Sequence, residues 1–351
     1  MQIGVGLDPT LGLNWNEQRE VSKEAARLGY TSIWTPEGNG QDSFHLCVQR
    51  WQATTEIVPE GLTTGIAVSP VMYRTPLSFA MEGGTVSDIT GGKFIMGIGS
   101  GGAHRPAARA QLGVGRMSAL ALMRDYLIVV RGLVNGERVT HEGDTATLKG
   151  MRLAMRPAPE TPVYLGALGP RMLEMSGELA DGASLNWCTP EQIAWSRERI
   201  AEGAAKAGRD PSEINVAEYI RICVDDDVDA ARIALAKATM GYALGASVPT
   251  ERERQLGYRA HFERMGFTEE LAALDDMRRN GASRDEVAEA FPAEILNAIG
   301  YFGKAEGAAA AFKRLAEGLD TAIVRVVAAR RGVDSTLAVM RACAPDAVRA
   351  A

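Results

Sequence analysis

Cysteine and histidine are scarce in this chain, four of each in 351 residues. The cysteines stand alone at Cys47, Cys188, Cys223 and Cys343, with no C-x-x-C spacing, so neither a disulfide framework nor a zinc site is expected. His45, His104, His141 and His261 are as scattered, and no metal is expected. There is no basic run, and 38 Lys and Arg against 44 Asp and Glu leave a net charge of −6, which argues against a nucleic-acid partner. The opening Met1-Gln2-Ile3-Gly4-Val5 has neither a basic n-region nor a long apolar core, so no signal peptide is expected. The most apolar helix-like stretch, Ala119 to Val134, is interrupted by Arg124, Asp125 and Arg131. No segment reaches the roughly 18 apolar residues of a membrane span. No nucleophile–base pair of the Ser/His/Asp or Cys/His kind assembles from the motifs, so hydrolase chemistry has no visible carrier. The expected setting is cytoplasmic, in a reducing compartment.

Glycine is abundant instead: 38 residues, against a typical usage of about 7 %. Short apolar runs alternate with amphipathic stretches of helix length. Strands are expected at Ile3–Leu7, Thr31–Thr35, Leu62–Val68, Phe94–Ile98, Val163–Leu165, Ala183–Asn186, Asn215–Val224 and Ala322–Val327. Helices are expected between them, including one capped by Asn14 or Asn16 and closed by Gly29, Pro76–Ile89, Ser118–Leu133 and Pro190–Ala207. About eight β–α units imply parallel pairing and favour a (β/α)8 barrel, with an open doubly wound sheet as the other solution. No linker divides residues 1–351, so one barrel domain is expected. Residues 225–300 are too long and too helical for a crossover and read as a helical insertion near the barrel mouth.

The glycines cluster at strand ends. Gly97-Ile98-Gly99-Ser100-Gly101-Gly102 fits G-x-G-x-x-G, but Pro106 and an Ala/Arg-rich loop follow where a dinucleotide fingerprint needs a helix. A tight loop at a barrel mouth explains it better. Pro162 to Arg171 reads as strand, small-residue turn and helix start, which offers free N–H groups to a phosphate; an ordinary βα loop reads the same way. Gly61 to Pro70 runs from strand through small residues to Pro, either a kink against a flat ligand or a turn forced by Pro70. Glu37, in Trp34-Thr35-Pro36-Glu37-Gly38, is a carboxylate at the C-terminal end of the second strand, a functional position in barrels or a turn acid.

Taken together, Tyr73 to Pro76, Thr85 to Gly101, Pro162 to Pro170 and Gly177 to Ala183 resemble the signatures of the bacterial luciferase-like superfamily. The flavour is that of the branch using coenzyme F420, a 5-deazaflavin, which includes methylenetetrahydromethanopterin reductase. The resemblance implies a TIM-type barrel with insertions and a non-prolyl cis peptide at Gly65–Ile66, with Ile66 pressed on one face of the cofactor ring. It implies that Gly65, Ile66, Ala67, Gly97, Gly99, Ser100, Gly166, Ala167, Leu168 and Gly169 bind the cofactor. The expected partners are a small-molecule substrate and further copies of the chain, as a homodimer or higher homo-oligomer.

There are departures. Glu37-Gly38 stands where several relatives carry Asp-His, Gly6 where the reductase has Glu, and Gly102 where sugar-phosphate dehydrogenases use Glu. The relatives' substrates therefore do not carry over. The resemblance implies hydride transfer between F420 and an organic substrate, with Glu37 expected to move a proton or anchor a polar group. An FMN-dependent monooxygenase and a non-catalytic flavin-binding protein are the alternatives. Arg74, Arg105, Arg109 and Arg116 either meet the acidic tail of the deazaflavin or are solvated loop charges.

Overall fold

Every barrel strand alternates between two apolar environments, and that alternation builds the molecule. The computed structural model describes residues 1–155 and 159–351. Among these, eight parallel strands form a ring: β1 (Gln2–Gly6), β2 (Ser32–Thr35), β3 (Thr63–Pro70), β4 (Phe94–Gly99), β5 (Val163–Gly166), β6 (Gly182–Asn186), β7 (Asn215–Val224) and β8 (Thr321–Val326). Each pairs with the next, and β8 with β1, so the ring closes as a (β/α)8 barrel rather than an open sheet. A short strand, Gly300–Gly303, adds to the upper half of β7 at Arg221–Val224.

Residues facing outward, such as Ile33, Ile66, Met96, Ile98, Leu165, Leu185, Ile220 and Val324, join the helices in one large core. Residues facing inward form a separate cluster of Trp34, Tyr164, Ala217, Tyr219 and Ile323, with Ala67 and Ile95 against it. Three large aromatic rings fill a small barrel only if neighbouring strands give way. A Cβ on Gly4 would lie 2.8 Å from Trp34 Nε1, one on Gly6 2.7 Å from Tyr219 Cε1, and one on Gly182 2.6 Å from Tyr164 Cε1. A Cβ on Gly65 would overlap the Trp34 ring itself.

Local signals set the helix starts. Asn14 and Glu17 form a capping box on Trp15–Arg27. Thr75, Ser118 and Thr189 cap Pro76–Ile89, Ala119–Val134 and Pro190–Lys206 through their hydroxyls. Among the elements that the sequence reading does not assign is an antiparallel hairpin of Val139–Glu142 and Thr147–Met151. It is held from below by buried Asp125, which accepts from Thr145 N (2.6 Å), Thr145 Oγ1 (2.7 Å) and His141 Nε2 (2.9 Å). A long-range tie to one helical carboxylate leaves little local pattern.

Among the described residues, seven helices lie between β7 and β8, and the first six run from Val228–Ala243 to Ala293–Ile299. They share a second core, with Leu235, Phe262, Leu271 and Phe291, into which Trp187 and Cys223 of the barrel reach. Tyr258, His261 and Arg264 of this segment bond to Asn186, the Trp187 carbonyl and the Leu168 carbonyl. The segment therefore lies against the C-terminal ends of β5 and β6. Beneath the loop after β6, outward-facing Glu218 accepts the Cys188 N–H at 2.6 Å and is 1 % exposed. Burial pushes its carboxyl up to about 8, and burial pushes His261, 3.8 Å from Cys188 Sγ, down to about 4.

Two outcomes follow from this packing. Gly65→Ala lowers stability by about 1–3 kcal/mol through overpacking on Trp34, whereas Gly241→Ala, in the last turn of Val228–Ala243 with open space at its Cβ, is neutral or stabilising in denaturant melts. Glu218 retains a proton in the folded chain that the unfolded chain loses above its ordinary value. Its stabilising contribution is complete at acid pH and fades as pH rises toward about 8. Glu218→Gln keeps the acceptor for Cys188 but does not titrate, so its melting temperature gains on the native chain between pH 5 and pH 8.5. A constant gap across that series contradicts the assignment.

Candidate active site

Sites in this fold sit at the C-terminal ends of the strands, and here β3 is irregular at that end. Ile66 pairs with Met96 and Ser69 with Ile98, so Ala67 and Val68 stand opposite the single residue Gly97. This is a β-bulge. The cis peptide is Ala67–Val68, two residues beyond the expected Gly65–Ile66. Ile66 is fully buried in the outer core, so it faces away from the barrel and cannot press on a ligand there. The extra residue of the bulge presents Ala67 and half-exposed Val68 instead.

The glycines of the neighbouring strands are seats for that bulge. A Cβ on Gly97 would overlap the Ile66 carbonyl, one on Gly99 would sit 2.5 Å from Val68 Cγ2, and one on Gly166 3.1 Å from it. Gly65 serves Trp34 rather than a ligand. Beyond the seats, Ser100 is half-exposed and Ala167 is buried, its N–H bonded to the Ser184 carbonyl at 3.2 Å. Leu168 offers its carbonyl to Arg264. Gly169 starts the helix Pro170–Leu179 with no side-chain cap and nothing within 4 Å of its Cβ position. Ala67, Gly97, Gly99, Ser100 and Gly166–Gly169 thus meet at the ends of β3, β4 and β5.

Glu37 is tied to the same bulge. Its N–H donates to the Val68 carbonyl at 3.3 Å, and the Ser69 hydroxyl donates to its carboxylate. Arg74 grips both carboxylate oxygens, Nη1 to Oε2 at 2.6 Å and Nη2 to Oε1 at 2.8 Å. Arg74 also pairs with Asp42 and with Glu82 at 2.5 Å, and lies over the Phe44 and Phe79 rings. Burial alone would lower the Arg74 pKa; Glu37, Glu82 and Asp42 together hold it above the usual value. With its side chain 4 % exposed and both oxygens taken, Glu37 is placed to hold the bulge rather than to exchange protons. Arg74 is likewise spent inside this knot and is not a surface contact for an acidic tail. Arg109 donates to the Ala103 carbonyl at 2.6 Å.

The opposite wall carries residues the sequence reading missed. Arg221 and Arg325 face inward near the tops of β7 and β8, above Tyr219. Asp8, just after β1, pairs with Arg325. The Ser184 and Tyr219 hydroxyls are buried, face the interior and have no partner among the described residues. The signal available in sequence was a charged residue near the end of an otherwise apolar strand, as in Tyr219-Ile220-Arg221 and Ile323-Val324-Arg325. Among the described residues, no group of three or more His, Cys, Asp or Glu is placed to hold a metal ion, and no helix is long and apolar enough to cross a membrane. An apolar bulge on one side and free buried hydroxyls on the other suit a flat heterocycle with a polar edge.

Comparison with known proteins places this geometry. The 5,10-methylenetetrahydromethanopterin reductase of Methanolobus tindarius is 31 % identical over 234 residues, covering 66 % of this chain and 69 % of the relative. That of Archaeoglobus fulgidus is 28 % identical over 256 residues, covering 72 % and 73 %. The solved coenzyme F420 dependent tetrahydromethanopterin reductase from Methanopyrus kandleri shares the fold, with a TM-score of 0.77 at 21 % identity over 99 % of both chains. The model of luciferase-like monooxygenases matches residues 1–322, most of the barrel including the bulge and its glycine seats, and the chain belongs to that family.

Proposed function

We propose that this chain is an oxidoreductase that moves a hydride between coenzyme F420 and a small organic substrate. The observation that carries the reading is the bulge of Ala67 and Val68, supported on three sides by Gly97, Gly99 and Gly166. The coenzyme F420 named for the similar Methanopyrus kandleri structure supports the choice of cofactor. A bound 5-deazaflavin supplies hydride chemistry at a ring carbon, without the oxygen adduct that a monooxygenase requires. The chain's own residues supply the rest. Val68 gives an apolar face, and Glu37 with Arg74 and Ser69 keeps that face in place. The backbone N–H groups of Leu168 and Gly169, at the uncapped start of the helix Pro170–Leu179, would hold a phosphate. The Ser184 hydroxyl would take a polar ring-edge atom. The helices from Val228 to Ile299 would wall the mouth and exclude water, so that catalysis rests on orientation. Four free, buried cysteines support a reducing compartment.

Fluorescence titration of the purified protein with F420 and with FMN tests this directly. The expected result is saturable deazaflavin binding and weak FMN binding; tight FMN binding with no deazaflavin response overturns the reading. In the same titration Glu37→Gln, which cannot ion-pair with Arg74, weakens deazaflavin binding about tenfold, the size of one charge-assisted hydrogen bond. Its pH–rate profile keeps its shape. Unchanged binding with loss of one limb of that profile would instead make Glu37 the proton-transfer group.

A further inference from the structure

Two guanidinium groups stand side by side on the inward face of the mouth. Arg221 and Arg325 are partners in the register of β7 and β8, and they are 4 % and 8 % exposed. Two positions earlier on each strand, Tyr219 and Ile323 belong to the interior cluster, so strand alternation directs both arginines inward. Their guanidinium carbons lie 5.8 and 5.7 Å from the centroid of the same Tyr219 ring. The hydroxyl of that tyrosine is buried without a partner among the described residues.

The charges are unequally met. Arg325 has Asp8. Among the described residues Arg221 bonds only neutral partners: its Nη1 donates to Asn186 Oδ1 and to the Tyr219 carbonyl, and its guanidinium carbon lies over the Trp187 ring, 3.8 Å from the centroid. Glu218, three residues earlier, faces out of the barrel and is engaged by Cys188. A buried cation without a counter-ion is costly, and the cost is recovered when an anion arrives. The surplus is local, because the chain as a whole carries −6. In a ring of eight strands, β7 is four strands from β3, so Arg221 stands on the wall opposite the bulge.

We propose that Arg221, together with the Tyr219 hydroxyl, binds a carboxylate of the organic substrate, with Arg325 held on the flank by Asp8; the substrate class is small organic acids. Trp187 holds the guanidinium from one side and Nη1 is engaged by Asn186 and the Tyr219 carbonyl, which leaves Nε and Nη2 to form paired N–H···O bonds with a planar carboxylate. Anchored there, a small acid would extend across the mouth toward a ring seated at Val68. This substrate class rests on the oxidoreductase reading, but the anion site itself does not.

The test uses benzoate and succinate as probes, with benzamide as the neutral control, followed by calorimetry on the protein alone and on the protein saturated with F420. Saturable binding of a carboxylate but not of benzamide is expected. Arg221→Gln should weaken it about 100-fold, Arg221→Lys should restore it only in part, and Tyr219→Phe should weaken it about tenfold. Deazaflavin affinity, read separately by fluorescence, should stay within about twofold in all three. Absence of carboxylate binding to the F420-saturated native protein overturns the proposal. So does an Arg221→Gln protein that loses deazaflavin affinity tenfold or more with carboxylate binding unchanged, which assigns the anion to the cofactor. If Arg221→Gln does not fold by circular dichroism, Tyr219→Phe carries the same comparison. Arg221-dependent carboxylate binding in a protein that ignores F420 would uphold the anion site and remove the oxidoreductase reading alone.

Discussion

The volume inside an eight-stranded barrel is fixed by the number and tilt of its strands, and this chain fills it with unusually large side chains. Trp34, Tyr164 and Tyr219 share one layer, and each is accommodated by a glycine on another strand. The same exchange is repeated one level higher. There Val68, pushed forward by an extra residue in β3, is accommodated by Gly97, Gly99 and Gly166. The lower exchange closes the barrel and the upper one shapes its mouth. The glycine excess is the chemical record of both.

Charge is arranged with the same economy. On the β2–β3 side one cation is fully engaged: Arg74 gathers Glu37, Asp42 and Glu82. That knot ties the loop after β2 to the bulge and gives it a fixed backbone. On the β7–β8 side Asp8 pairs with Arg325, and among the described residues no acid pairs directly with Arg221. A wall whose cation is fully engaged suits an apolar ring. A wall with surplus charge suits a charged small molecule.

Much of the barrel was legible because its signals are local. Pro76–Ile89 and Asn215–Val224 have their expected bounds, since Thr75 with Pro76 marks one start and a mostly apolar run, broken by Glu218 and Arg221, marks the other. The glycine clusters at the ends of β4 and β5 were also visible. Their immediate purpose was not, because Gly97, Gly99 and Gly166 answer to Val68, a residue on a third strand. The resemblance puts the cis peptide at Gly65–Ile66, but Gly65 is needed to admit Trp34 and the cis bond falls at Ala67–Val68. Glu37 was identified as a functional carboxylate by its place at a strand end. Only the fold reveals that Arg74, distant in sequence, occupies both its oxygens. The hairpin held by Asp125 and the juxtaposition of Arg221 with Arg325 depend on register and long-range contact, which periodicity does not carry.

The central claim is that the bulge of Ala67 and Val68 is the platform for the cofactor. A crystal structure of the chain with coenzyme F420 bound tests it most directly. The expected result is the deazaflavin ring in van der Waals contact with Val68, its other face open toward the wall that carries Arg221. A ring seated away from Val68, with the bulge untouched, would contradict it.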